Sequence, residues 1–326
     1  MKQTAEVIAD SIGPNGKRIT SILINHWRGI HAELLRHRLF SFSVASSRAI
    51  PYSVQSKQVK EDPMMPVLWP RSHKGMQGTE VFEGKEHEEM NDKWVSAKDD
   101  MLYHTERYTE RGLSKQLTNR LLEPWVNTRC VITATEWGNF FRLRCPTTKV
   151  TALSGSPIKG DFDWWADEIQ LDFPAEYNIQ DLAIKMKKAL DASTPTELRQ
   201  GQWHLPFISQ DDIDAYTEAD QCASVHWDIL KKISAARCAR TSYGKNLGKT
   251  DRDDLALAET LLKEHHLSPF EHQAMAINEK YTEVGGVYLD VCNMPDGLEV
   301  RVDNNQRTHF WSGNLQGWVQ YRKVIE

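Results

Sequence analysis

The chain has 326 residues, 40% of them hydrophobic and 26% charged, with a formal net charge of −5 and a pI near 6.2, a composition ordinary for a soluble globular protein with a large core. The acidic balance disfavours general binding to nucleic-acid polymers, and no apolar run approaches the length of a membrane span. The five cysteines are odd in number and contain no CxxC pair, which argues against a zinc cluster or disulfide framework and for a reducing compartment. With no hydrophobic signal core at the N-terminus, the expected location is the cytoplasm.

In chain order, residues 18–24 read as a short strand. The apolar run 30–35 then predicts a helix that presents Arg36, His37 and Arg38. Ser41, Ser43, Ser46, Ser47 and Arg48 follow, so four basic or imidazole groups and four hydroxyls fall within thirteen residues. Successive helical residues point about 100° apart, so these cations would serve different groups of a ligand and not grip one phosphate together. Arginine forks, a histidine able to donate or accept, and serine hydroxyls suit an anionic ligand. The bland alternative is a solvated basic helix end favoured by its dipole.

Residues 55–83 hold Pro63, Pro66, Pro70, Gly75 and Gly78 and read as an ordered loop with several turns. Met90, Trp94, Ala97 and Met101 repeat at helical spacing, and a second helix around Leu117, Leu121 and Leu122 stops at Pro124. Residues 129–135 are β-rich. The stretch 149–174 reads as an insertion or lid, and Ile179, Leu182, Ala183, Met186 and Leu190 mark one face of an amphipathic helix. Thr250 to Asp253 forms a capping box for a helix whose buried face is Leu255, Ala258, Leu261 and Leu262. That helix ends in a segment, 264–272, with three histidines and two glutamates. It has no HExxH spacing, so no metal is expected. Residues 273–277 and 286–302 read as strands. The basic and aromatic segment 317–323 is either an amphipathic end or a further contribution to a site. Strands alternate with long helices without βαβ rhythm or a GxGxxG segment. The expected fold is therefore α+β, a mixed or antiparallel sheet flanked by long helices, non-Rossmann, in one domain spanning 1–326.

Arg36-His37-Arg38, then Ser46 and Arg48, resembles the signature of the flavin-dependent thymidylate synthases. His266-Leu267-Ser268-Pro269-Phe270-Glu271-His272 is similar to their histidine, Ser/Thr-Pro-Phe-Glu-His segment. Residues 234–243 resemble an Ala-Ala-Arg-x-Ser stretch, and Phe140-Phe141-Arg142-Leu143-Arg144 resembles Phe-x-x-Leu-Arg. In the usual member the Ser-Pro-Phe-Glu-His segment precedes Arg-His-Arg; here it follows, so the chain resembles a circularly permuted branch common in phages. That branch has segments similar to Trp203-His204-Leu205-Pro206 and to residues 317–323. Cutting a different surface loop preserves the same contacts.

The resemblance implies FAD as cofactor, methylenetetrahydrofolate as one-carbon donor, NADPH as reductant, and a pyrimidine deoxynucleotide, dUMP or dCMP, as substrate in a homotetramer with shared sites. It implies that His37, Arg38, Arg142, Arg144, Ser268 and Glu271 hold the flavin. Glu33, Arg36, Ser46, Ser47 and Arg48 would hold the nucleotide, His266 would lie near the folate or flavin ring, and Gln180 would face the base. Two departures bear on the product. Ser43-Val44 stands where the signature has Asn-Glu, and Asn178-Ile179-Gln180 matches Glu-Ile-Arg, replacing a guanidinium with a neutral amide. Three readings follow: dUMP methylation, hydroxymethylation of dUMP or dCMP on the same fold, and a flavin or nucleotide binder without turnover.

Overall fold

Branched side chains at alternate positions build the first sheet. The computed structural model describes residues 2–74, 78–146, 166–217, 225–241, 250–278, 298–302 and 308–326. Its strands are β1 (Thr4–Ile12), β2 (Arg18–Trp27), β3 (Ser41–Val44), β4 (Asn127–Ala134), β5 (Thr196–Glu197), β6 (Trp203–His204), β7 (Ala274–Ala276), β8 (Glu299–Val302), β9 (Thr308–Ser312), β10 (Leu315–Gln316) and β11 (Trp318–Gln320). The helices are α1 (His31–Leu34), α2 (Tyr52–Glu61), α3 (Gly84–Glu110), α4 (Lys115–Leu121), α5 (Gly138–Arg144), α6 (Tyr177–Ala192), α7 (Gln210–Ala215), α8 (Trp227–Arg240), α9 (Asp251–Lys263) and α10 (Tyr321–Ile325).

The main sheet has the order β3-β4-β2-β1-β5 and is antiparallel except where β5 joins β1. Two smaller antiparallel sheets run β11-β7-β6 and β10-β9-β8. This is the expected α+β architecture, with no Rossmann unit among the described residues.

Strand periodicity gives the main sheet two unlike faces. Ile22, Ile24, Cys130, Ile132 and Ala134 pack against Ile179, Leu182, Ala183 and Met186 of α6 and Phe140 and Phe141 of α5. Full burial of each large side chain is worth about 1.5–3 kcal/mol. The opposite face carries Ile19, which packs with Ala274, Ala276, Leu315 and Trp318 of the smaller sheets. It also carries the hydroxyls of Ser21, Thr133, Ser41 and Ser43, all buried.

Several expectations change. Residues 36–40 are not helical: α1 ends after one turn, and Arg36 N and His37 N bond back only three residues, to Glu33 O (3.3 Å) and Leu34 O (3.2 Å). Those bonds tighten the turn and aim the chain into β3. Residues 52–61 form α2, not loop; its pattern conceals this because only Gln55 and Val59 are buried. The strand expected over 273–277 is the three-residue β7. Of the proposed insertion or lid, 149–165 lies outside the described residues, as do Ser242, Tyr243 and most of the strand expected over 286–302. Among the described residues no helix is long and apolar enough to cross a membrane.

Candidate active site

The hydroxyl face of the main sheet receives two histidines. Ser11 Oγ bonds His204 Nδ1 (2.9 Å), His204 Nε2 bonds Ser21 Oγ (2.9 Å), and Ser21 Oγ bonds Thr133 Oγ1 (2.5 Å). Thr133 Oγ1 in turn bonds His272 Nδ1 (2.8 Å), whose Nε2 bonds Ser43 Oγ (2.9 Å). All six side chains are buried. Burial brings His204 and His272 down to about 3, with Asp10 partly opposing the shift at His204 and His204 reinforcing it at His272. His272 thereby fixes the Ser268–Glu271 3-10 turn against β3, 229 residues earlier in sequence.

The turn that enters β3 holds the Arg-His-Arg residues. His37 is buried; its ring lies edge-on to Phe140 at 4.8 Å and stacks near Phe40 at 5.7 Å. Desolvation first, then the Arg144 cation, lowers it to about 4, so it is neutral at physiological pH. Arg144 Nη1 pairs with Glu33 at 3.3 Å. Arg36, Arg38 and Arg142 are exposed and pair with no described residue.

His37 Nε2, Arg144 Nε and Trp137 Nε1 are buried without a hydrogen-bond partner, and the Trp137 ring lies tilted against Phe40 at 4.6 Å. A buried unsatisfied polar group costs about 1–3 kcal/mol. Three of them beside unpaired guanidinium groups fit a large, polar, anionic aromatic group such as a flavin dinucleotide.

A cleft of about 230 Å³ opens on the other side of Phe40, lined by Glu271, Gly313, Asn314, Gln320, Arg322 and Lys323. Asn314 Nδ2 donates to Phe40 O (3.2 Å), and Gln320 Nε2 donates to Glu271 O (2.9 Å) and Ser41 Oγ (3.3 Å). Gly313 has a positive φ of 58°, and a Cβ there would overlap the Gln320 amide. Burial raises the Glu271 carboxyl, while contacts with Arg322 and Ser41 pull it back. Gln320, Arg322 and Lys323 of the 317–323 segment thus line this cleft.

The remaining implied residues separate by position. Ser268 opens the 3-10 turn that carries Glu271. His265 adopts a left-handed φ of 57° after α9, and the adjacent His266 side chain is 66% exposed, 3.5 Å from Glu264. Ser46, Ser47 and Arg48 form the turn leaving β3; Ser47 Oγ donates to Glu123 (2.9 Å), so it braces the turn, and Arg48 is exposed and pairs with no described residue. Glu33 Oε2 pairs with Arg144 Nη1 at 3.3 Å, and its side chain is about one-third exposed. Gln180 does not face a site: its Nε2 donates to Ala175 O (2.8 Å) and Gln170 O (3.2 Å), and its Oε1 accepts from Gln170 N (3.0 Å). Both amide donors are used inside the core, which leaves no edge for a base. Arg237, in the Ala-Ala-Arg stretch, is held by Asp212 (2.9 Å), Asp251 (3.1 Å) and Asp254 (3.3 Å) and braces α8 against α9.

The sequence profile described as thymidylate synthase complementing protein matches residues 21–196. The chain belongs to that family. It is accordingly a thymidylate synthase-like transferase, acting in one-carbon transfer to C5 of a pyrimidine nucleotide. The Arg-His-Arg turn and α5 lie inside the matched residues, whereas the 268–272 and 313–323 segments of this family member lie beyond them. No curated protein matches the chain. Solved structures of a UMP/dUMP methylase, PolB, from Streptomyces cacaoi, bound with 5-Br UMP or 5-Br dUMP, are each 13% identical and each cover 58% of this chain. The matches span 89% and 90% of those chains with TM-scores of 0.41 and 0.39; likeness at this level bears on neither substrate nor mechanism.

Two expectations follow. His26, His204 and His272 are each buried and lowered to about 3 from 6.5. Their stabilising contribution is complete above the unfolded value and declines as pH falls from 6.5 towards 3, by about 1.4 kcal/mol per histidine per pH unit. The denaturant midpoint of unfolding should therefore drop steeply between pH 7 and pH 5; a flat profile would contradict the burial of three neutral imidazoles. Gln180→Ala should cost about 1–3 kcal/mol of stability by orphaning backbone groups of residues 170–175, and the uracil-to-cytosine preference of any turnover should not move. A changed preference with unchanged stability would return Gln180 to the site.

Proposed function

We propose that this protein transfers a one-carbon unit from methylenetetrahydrofolate to C5 of dUMP, giving dTMP, with FAD as cofactor and NADPH as reductant. The carrying observation is that the Arg-His-Arg turn and the Ser268–His272 segment meet across β3, through the His272–Ser43 bond at 2.9 Å and the Glu271–Ser41 contact. We read the chain as one catalytic domain with permuted motif order, working as a homotetramer with shared sites. The exposed faces of Arg36, Arg38 and Arg142 then receive groups from bound ligands.

Bound beside the Arg-His-Arg turn, FAD supplies the redox chemistry of the transfer. The chain's own residues bind and orient. Arg38 and Arg142 offer planar forks to phosphate oxygens, and neutral His37 offers Nε2 as either donor or acceptor. Arg144, steadied by Glu33, presents its unpaired Nε. Glu271 and Ser268 line the flavin from the other segment, while Arg36, Ser46 and Arg48 hold the nucleotide, Arg48 at its phosphate. His266, exposed at the end of α9, is placed to meet the folate. No described cysteine can attack C6 of the base: burial raises the thiols of Cys130, Cys145 and Cys238 far from the thiolate form that attack needs. A route without an enzyme thiolate is what these residues support.

Val44 favours a second reading. It stands where the signature has a carboxylate, and its side chain packs against the α5 and α6 core, so that charge has no replacement on β3. Hydroxymethylation of dUMP or dCMP on the same scaffold is the alternative product. Purified protein supplied with FAD, NADPH, methylenetetrahydrofolate and either nucleotide distinguishes them by product mass. A methyl gain on dUMP is expected, a CH2OH gain selects the alternative, and unchanged nucleotides refute both.

A further inference from the structure

The six-membered chain from Ser11 to Ser43 carries a proton count that restricts its states. Each of the four hydroxyls brings one proton, and each neutral imidazole brings one, so six protons serve the five hydrogen bonds and one is left over. The spare proton cannot sit on either imidazole, because both ring nitrogens of each are already in the chain. Ser21 and Thr133 are 0% exposed and have no other described acceptor, whereas Ser11 and Ser43 at the ends keep 6% and 5% of their surface open. The spare proton therefore belongs to an end.

Only two arrangements remain. In one, every group donates from Ser11 towards Ser43: both histidines carry the proton on Nε2, Ser43 accepts from His272, and the Ser43 proton is free. In the other, every donor reverses: both histidines carry it on Nδ1, Ser43 donates to His272, and the Ser11 proton is free. The two imidazoles, on separate segments and not in contact, must hold the same tautomer.

We propose that Ser11, His204, Ser21 and Thr133 are positioning residues for His272 and Ser43, setting as one unit which nitrogen of His272 donates and whether the Ser43 hydroxyl on β3 is free to donate. The coupling is a property of the folded chain and stands independently of which nucleotide is the substrate. A merely structural set of buried bonds would let each histidine settle by its own neighbours.

Nitrogen-15 spectra of histidine-labelled protein read this directly, since protonated and bare ring nitrogens resonate apart. The wild-type protein should show His204 and His272 with the same nitrogen protonated. Ser11→Ala removes the only acceptor for a His204 Nδ1 proton, and a buried unmet donor is costly, so both rings should hold Nε2–H. Ser43→Ala removes the acceptor for a His272 Nε2 proton, so both should hold Nδ1–H. His204, which does not touch residue 43, should thus exchange its protonated and bare signals between these variants. Thr133→Val should abolish that remote response. Opposite tautomers in the wild-type protein, or a His204 signal pattern identical in Ser11→Ala and Ser43→Ala, would overturn the proposal. The wild-type measurement decides even where a variant fails to fold.

Discussion

Two histidines inserted into the hydroxyl face of one sheet are the constraint on which the rest of the structure depends. β3 is a four-residue edge strand, too short to be secured by its ladder with β4 alone. A further, fully buried tie is His272, which bridges Ser43 to Thr133 and through Thr133 to Ser21. A net gain of about 1 kcal/mol per hydrogen bond is modest. The larger effect is the penalty for any other arrangement, because a misregistered β3 would leave an imidazole and several hydroxyls buried and unmet. The polar face thus selects one docking of the smaller sheets, while the apolar face on α5 and α6 supplies the bulk of the burial.

That docking brings distant parts of the sequence to one place. The turn into β3 carries arginines that pair with no described residue and a neutral His37 whose Nε2 is buried without a partner. The segment before β7 brings Glu271, and residues 313–323 wall the cleft on the far side of Phe40. Opposite arrangements fall within a short span: guanidinium groups exposed and paired with no described residue, and a carboxyl group held by Arg322 and Ser41. The buried thiols are correspondingly inert, so the chemistry rests with what these groups bind and orient.

The sequence marks the candidate site's residues more readily than it shows their setting. Arg36-His37-Arg38, Phe140 to Arg144 and Ser268 to His272 are legible because each concentrates unusual side chains in a few residues. Their setting is hidden where local pattern and tertiary demand diverge. The apolar run 30–35 suggests a continuing helix, yet burial of His37 requires a turn. α2 lacks an apolar face, and β1 interleaves Glu6 and Asp10 with its apolar residues, so neither announces itself. Gln180 was correctly set on a helix, but the backbone of residues 170–175 claims its amide. The hydroxyl chain itself was invisible: Ser21 and Thr133 look like ordinary strand residues until the partner histidines, far away in sequence, are in place. Its trace is a period-two placement of hydroxyls within apolar strands, at Ser21, Thr133, Ser41 and Ser43.

His272 joins the two segments flanking β3, which in the proposed function form one flavin site. FAD affinity across a double-mutant cycle of Ser43→Ala and His272→Gln tests it most directly. Each single variant should weaken FAD binding about tenfold, near 1.4 kcal/mol, and the double variant should be no weaker than the weaker single, the non-additivity expected of one shared contact. Unchanged affinity in the singles, or fully additive losses in the double, would contradict the account.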